Sequence, residues 1–324
     1  MVQGAKLVLG KTVKDSATEL LGGPNSSLLR HPADWSRDVL PIPVHSHNDY
    51  WRDVPILNAL ALGVRSVESD VWLYKDELYV GHDPFALSKE RTFSALTIKP
   101  LLKAIDQANE ANALKSNSAE AQFFAHLQQE QKLGNFTAGF YSAGVGLTAP
   151  IQLLIDVKTD GETTWPRVVK DLEPLRKRGY LTKWEAGKLV PAPILVVGTG
   201  NTPIDQIAPL NSRDYFFDGP LGNLSAGFDI NGIHYAWNST LSPLASVDFN
   251  SIITKWEGYE AASDEVRANL TKAIDEAHAK GITTRFWDTP GWPRYARDRV
   301  NSLLLSLGSD WINADDLEAI ATIF

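Results

Sequence analysis

The chain has 324 residues, 44% apolar and 22% charged, with 10 Trp, 9 Tyr and 12 Phe, enough to pack a core and to exclude global disorder. It holds no cysteine, which excludes disulfides, thiolate metal sites and a cysteine nucleophile. Its formal charge of −8 argues against a surface that coats nucleic acid while leaving room for a local basic pocket.

Residues 1–36 read as an N-terminal leader or extension, with a short helix expected over Thr12–Leu21 and a turn-rich stretch from Gly22 to Ser27. Nothing in the chain reaches the roughly eighteen apolar residues of a membrane span, and the N-terminus has no hydrophobic signal core as it stands. From Pro41 onward short apolar runs alternate with helical segments, and residues 37–324 read as a single domain. Strands are expected at Ile42–His47, Ser66–Trp72, Leu78–Gly81, Ile151–Lys158, Ile194–Gly198, Asp214–Phe217, Thr283–Trp287 and Trp311–Asn313. Helices are expected at Val54–Leu62, Ile98–Asn112, Glu120–Leu133, Thr164–Arg178, Asp264–Lys280 and Pro293–Leu307. Asp264 and Glu265 place negative charge at the start of the fifth of these, and Lys280-Gly281 closes it. Asp315 and Asp316 read as the start of a last helix. Alternating strands and helices imply parallel βαβ units, and about 250 residues of them suit an α/β, TIM-type (β/α)8 barrel.

Five sequons, at Asn25, Asn135, Asn223, Asn238 and Asn269, are candidate glycosylation sites. They lead to the expectation of a secreted or secretory-pathway glycoprotein whose signal segment is absent from this chain.

Reactive groups in such a barrel stand at the C-terminal ends of strands. Three polar clusters fall there: His45 to Tyr50, Glu68 to Asp70 followed by His82-Asp83, and Asp156 to Asp160. Strand alternation puts Glu68 with Asp70, Asp156 with Lys158, and His45 with His47 on shared faces. Val67, Val71, Ile155 and Val157 then face the helices. Three carboxylates in one mouth repel one another, and a hard divalent cation, Mg²⁺ or Ca²⁺, relieves that repulsion with oxygen ligands. Asn48 can add a neutral oxygen. Counting Lys158, the four groups sum to −2, which repels a phosphodiester anion until a cation is bound. Trp287, at the end of its strand, can face the same mouth as a substrate contact.

The clusters resemble motifs of the PLC-like phosphodiesterase superfamily, and especially of the fungal altered-inheritance-of-mitochondria protein 6 family, from about Pro41 to the C-terminus. Ser46-His47-Asn48-Asp49-Tyr50 is similar to the S-H-N-x-Y motif of phosphoinositide-specific phospholipase C. Glu68-x-Asp70 with His82 resembles the glycerophosphodiester phosphodiesterases, Asp156-x-Lys158 the sphingomyelinase D-type enzymes, and Gly308 to Asp315 the closing strand of the glycerophosphodiesterase barrel. Where glycerophosphodiesterases carry H-R-G, this chain has His47-Asn48-Asp49.

The resemblance implies a PLC-like phosphodiesterase barrel with one divalent cation on Asn48, Glu68, Asp70 and Asp156. His47 and His82 become the acid–base pair, and Lys158 holds a phosphoryl oxygen. His45 is a deeper supporting residue, a substrate contact or the alternative to His47. The implied substrate is a phosphodiester small molecule or a lipid head group, with no nucleic-acid partner and at most peripheral membrane contact. A phosphorus–oxygen lyase forming a cyclic phosphate and a non-catalytic phospholipid- or glycan-binding barrel are the alternatives; a carboxylate-pair glycosidase fits the neighbouring Lys158 less well.

Overall fold

The computed structural model describes residues 39–109, 149–253 and 256–324, with Ser36, Thr137 and residues 139–141. The first strand, β1 (Ile42–Ser46), pairs in parallel with β2 (Val64–Tyr74). At Lys75-Asp76 the chain turns back into β3 (Glu77–Val80), which lies antiparallel on β2. Both turn residues have positive φ, 48° and 61°, as a tight two-residue hairpin requires. There follow β4 (Ile151–Val157), β5 (Ile194–Gly200), β6 (Phe216–Pro220), β7 (Leu244–Asp248), β8 (Thr283–Trp287) and β9 (Trp311–Ala314). All except β3 are parallel neighbours in the order β1, β2, β4, β5, β6, β7, β8, β9, and β9 returns to β1. The sheet is a closed eight-stranded barrel.

The helices α1 (Leu57–Ala61), α2 (Lys99–Ala108), α3 (Gly161–Asp171), α4 (Glu173–Lys177), α5 (Phe249–Ile252), α6 (Asp264–His278), α7 (Arg294–Ser306) and α8 (Leu317–Ala321) follow strands in the βα pattern. Between β6 and β7 there is no helix. A small antiparallel hairpin, Phe228–Ile230 with Ile233–Tyr235, stands in its place. Among the described residues no helix is long and apolar enough to cross a membrane.

Two apolar layers hold this arrangement. The larger lies between sheet and helices and includes Val67, Val71, Ile155, Val157 and Phe286, the outward residues of their strands. The smaller plugs the barrel floor with Leu154, Val197, Phe216, Leu244 and Trp311, one inward residue from each of five strands. Above the plug every barrel strand turns polar on its inner face. Alternation brings His45, Glu68, Asp70, Asp156, Thr199, Asp218, Ser246, Arg285 and Asn313 inward.

The expected strand total of eight arises by two compensating differences. Leu78–Gly81 exists as β3 but pairs as a hairpin outside the ring, whereas β7 replaces it in the barrel. The β7 sequence, Leu-Ala-Ser-Val-Asp, sits in a turn-rich stretch with Pro243 before it and has only five residues. The single helix expected over Thr164–Arg178 begins earlier, where the Asp160 carboxylate caps Thr163 N–H, and breaks at Leu172 into α3 and α4. The helices expected at Thr12–Leu21 and Glu120–Leu133 lie outside the described residues, as does the end of Ile98–Asn112.

Phe216 is fully buried in the floor plug. Phe216→Ala should cost about 3–5 kcal/mol of unfolding free energy; urea denaturation followed by circular dichroism measures it, and a loss below about 1 kcal/mol would show that the plug does not hold the barrel.

Candidate active site

Midway along β2 and near the C-terminal end of β4, the carboxylates of Glu68, Asp70 and Asp156 each offer an oxygen, and these oxygens lie within 4.8 Å of one another. Register explains the gathering: Asp70 pairs directly with Asp156, and Glu68 stands one inward step below Asp70 on the same strand. Asp70 is 1% exposed, and its Oδ1 accepts no hydrogen bond. Three close carboxylate oxygens, with a buried unpartnered oxygen on one of the same carboxylates, fit a hard divalent cation. Gly200 makes room for this group. Its φ is +63°, and a Cβ there would come within 2.0 Å of Asp156 Oδ1.

Two protein cations share the same mouth. Lys158 Nζ lies 2.7 Å from Asp156 Oδ2 and 2.9 Å from Asp70 Oδ2. Arg285, 3% exposed at the inner face of β8, places Nη2 3.7 Å from Glu68 Oε1 and donates from Nε to Asn313 Oδ1 at 3.0 Å. Sequence reasoning missed Arg285. Its signal was an arginine in an apolar strand at even spacing from Trp287, hence on the inner face. With Arg285 counted, the formal charge of the mouth is −1 rather than −2.

Burial, followed by the charges of Glu68 and Asp156, raises the Asp70 carboxyl to about 6 against the pull of Lys158. Burial also acts to raise Glu68, but Arg285 and His45 prevail and hold it well below the usual carboxylate range. Lys158 is pushed down by burial and more strongly up by Asp70 and Asp156, so it stays charged.

The histidines divide by depth. His45 is fully buried; its Nδ1 shares a 2.6 Å hydrogen bond with Ser66 Oγ, and its Nε2 lies 3.5 Å from Glu68 Oε2. Burial, then Arg285, lowers it to about 4, so it is neutral at physiological pH. His45 is thus withdrawn beneath the mouth, behind Glu68.

β1 ends at Ser46, one residue short of expectation, and His47 turns out of the strand. His47 Nδ1–H donates to Asp315 Oδ1 at 2.9 Å, and its Nε2 is 3.9 Å from Glu68 Oε2. Burial works to lower its pKa, but the Asp315 hydrogen bond and the Glu68 charge outweigh it and raise the value. Asp315 was expected to start the last helix. Asp316 alone does so, accepting from Ala319 N–H, which frees Asp315 to orient His47.

Asn48 adopts the left-handed conformation, φ 49°, that turns its backbone N–H onto Glu68 Oε2 at 2.9 Å. Its Oδ1 accepts from the Tyr50 hydroxyl. His82 Nδ1 is 3.4 Å from Asp70 Oδ2, and the ring is half-exposed. Trp51 bridges the two rim histidines, its ring centroid 6.4 Å from that of His47 and 5.8 Å from that of His82. Trp287 stands at the mouth end of β8, one inward step above Arg285. Across the barrel, Asp218 accepts from Thr199 Oγ at 3.0 Å through Oδ2, while its Oδ1 is buried without a partner. Burial raises Asp218 to about 7 despite the opposing charge of Arg285.

Residues 33–218 match the family model of an AIM6-like phosphodiesterase domain. Over 94% of its length the chain is 38% identical to altered inheritance of mitochondria protein 6 homolog of Arthroderma benhamiae, covering 91% of that protein. It is 33% identical over 89% of its length to altered inheritance of mitochondria protein 6 of Eremothecium gossypii, and 32% over 89% to that of Candida glabrata, covering 71% and 72% of those proteins. No solved structure matches the chain. These names overturn the expectation of secretion: they point to a mitochondrion-related role and away from the secretory pathway. Of the sequons, Asn223, Asn238 and Asn269 are exposed, while Asn25 and Asn135 lie outside the described residues.

The Asp218 carboxyl titrates near 7 in the fold against about 3.8 unfolded, so it stabilises below pH 4 and that stability is lost as pH rises through 7. Asp218→Asn should abolish on the order of 2–4 kcal/mol of this pH-dependent loss. Unfolding curves between pH 4 and 8 that fall in parallel for the two proteins would refute it.

Proposed function

Since the chain belongs to the altered-inheritance-of-mitochondria protein 6 family, with its phosphodiesterase domain, we propose that it is a phosphoric diester hydrolase dependent on one divalent cation, Mg²⁺ or Ca²⁺. The substrate class is a phospholipid, glycerophosphodiester or inositol-phosphate type of diester. The observation that carries the reading is the pair of rim histidines, each with Nδ1 against a carboxylate, His47 on Asp315 and His82 on Asp70, the latter one of three carboxylates whose oxygens lie within 4.8 Å of one another.

Asp315 fixes the His47 tautomer with the proton on Nδ1, which leaves Nε2 as the base. From there it takes a proton from water as the oxygen attacks phosphorus. His82, with Nδ1 towards Asp70, gives a proton to the departing alkoxide as the phosphorus–oxygen bond breaks. One bond to oxygen forms, one breaks, and the products are a phosphomonoester and an alcohol. Each proton transfer contributes about 10²–10⁴-fold. Glu68, Asp70 and Asp156, with Asn48 beside them, would hold the cation, whose role is to polarise a phosphoryl oxygen and offset charge in the transition state. The Lys158 ammonium, at the same carboxylates, would steady a phosphoryl oxygen of the substrate. Trp51, against both histidines, packs on whatever lies between them.

The test is hydrolysis of bis(p-nitrophenyl) phosphate by protein stripped with EDTA and resupplied with single metals. Activity should vanish on stripping and return with Mg²⁺ or Ca²⁺; insensitivity to chelation would remove the cation. His82→Ala should lower turnover at least about a hundredfold, and Asp315→Asn should lower kcat through the wrong His47 tautomer. With a phospholipid or glycerophosphodiester, ³¹P NMR should show the monoester, and an accumulating cyclic phosphate would replace hydrolysis by the lyase reaction.

A further inference from the structure

Resting on that cation reading, the geometry points to Arg285 as a positioning residue for the cation site: it holds Glu68 from behind so that the carboxylate presents its oxygens to the space shared with Asp70 and Asp156.

Glu68 sits inside a barrel at 4% exposure and needs both compensation and aim. Its Oε2 receives the Asn48 backbone N–H at 2.9 Å and faces the neutral His45 at 3.5 Å. Its Oε1 faces Arg285 Nη2 at 3.7 Å, too far for a hydrogen bond yet close for an ion pair. The guanidinium therefore compensates the charge without occupying the lone pairs of Oε1. The rigidity of the arrangement comes from Arg285 Nε, which is tied to Asn313 Oδ1 at 3.0 Å on the adjacent strand β9. Lys158 behaves differently: at 2.7 and 2.9 Å from Asp156 and Asp70 it sits on the ligand oxygens themselves and has to leave them. One barrel cation competes for the carboxylates and the other arranges them.

The proposal predicts an effect opposite in sign to that of simple electrostatics. Removing a positive charge near a cation site should tighten cation binding if charge alone mattered. Removing the residue that aims a ligand should weaken it, typically 10–100-fold for groups that orient ligands. The experiment is calorimetric titration of the whole, EDTA-stripped chain with Ca²⁺ and with Mg²⁺, together with thermal unfolding of each variant. Arg285→Met should bind at least about tenfold more weakly, and Arg285→Lys should recover part of the loss. Asn313→Ala, which keeps the guanidinium but releases its anchor, should weaken binding a few-fold and carries the test if Arg285→Met does not fold. Folded variants that bind as tightly as wild type, or more tightly, overturn the proposal, and so does a lowered Tm with unchanged affinity. A wild-type protein that takes up neither ion overturns the cation reading itself and this inference with it.

Discussion

The structure depends on gathering three carboxylates at one end of a barrel whose floor is apolar. At about 4–5 Å and an effective dielectric near 20, each like pair costs roughly 3–4 kcal/mol, comparable in sum to a sizeable share of a domain's net stability. The fold meets that cost in three ways. Lys158 bridges Asp70 and Asp156, Arg285 faces Glu68, and the Asp70 carboxyl is raised to about 6, so that it sheds part of its charge in mildly acidic conditions. The site is therefore tolerable with protein cations alone. A divalent ion held there, as proposed, would have to displace that ammonium.

A closed barrel suits this arrangement because it separates stability from chemistry along the same strands. The inner residues alternate with outer ones that pack on helices, so Val67 and Val71 fasten β2 to the core while Glu68 and Asp70 face inward. Moving from floor to mouth along the inner face, apolar Leu154, Val197 and Phe216 give way to Asp156, Thr199 and Asp218. Rigid strands thus hold the carboxylates and Arg285. The groups proposed to move protons or meet the substrate, His47, His82 and Lys158, stand just past strand ends.

Much of this was legible in the sequence because the signals were periodic. Spacing of two placed Glu68 with Asp70 and Asp156 with Lys158, and the placement of all three clusters at strand ends needed no distance information. What was not legible followed from contacts distant in the chain. Arg285 lies 217 positions from Glu68 and gains meaning only when the barrel closes. Asp315 looked like a helix start because it precedes the residue that is one; only the return of β9 to β1 shows it beside His47. β7 escaped notice because five residues, two of them Ala and Ser, carry little β signal, and its strandhood is imposed by neighbours on both sides.

Depth along a strand decides what a side chain can do here, and the two histidines of β1 and its end show why. His45 and His47 are two residues apart, but His45 lies within β1 and His47 beyond its end, and this separates a ring lowered to about 4 by burial from one raised by a hydrogen-bonded carboxylate. The deeper ring has Arg285 and Ser66 for company and remains neutral, fit to pack and to accept. The outer ring has Asp315 on one nitrogen and the mouth on the other, so that it can carry a proton in both directions. Exchanging their surroundings would exchange their roles, because nothing in the imidazole itself distinguishes them. The same rule sets Asp218 apart from Asp70: both are raised by burial, but Asp218 accepts from Thr199 on the neighbouring strand, whereas Asp70 stands against Lys158 and His82.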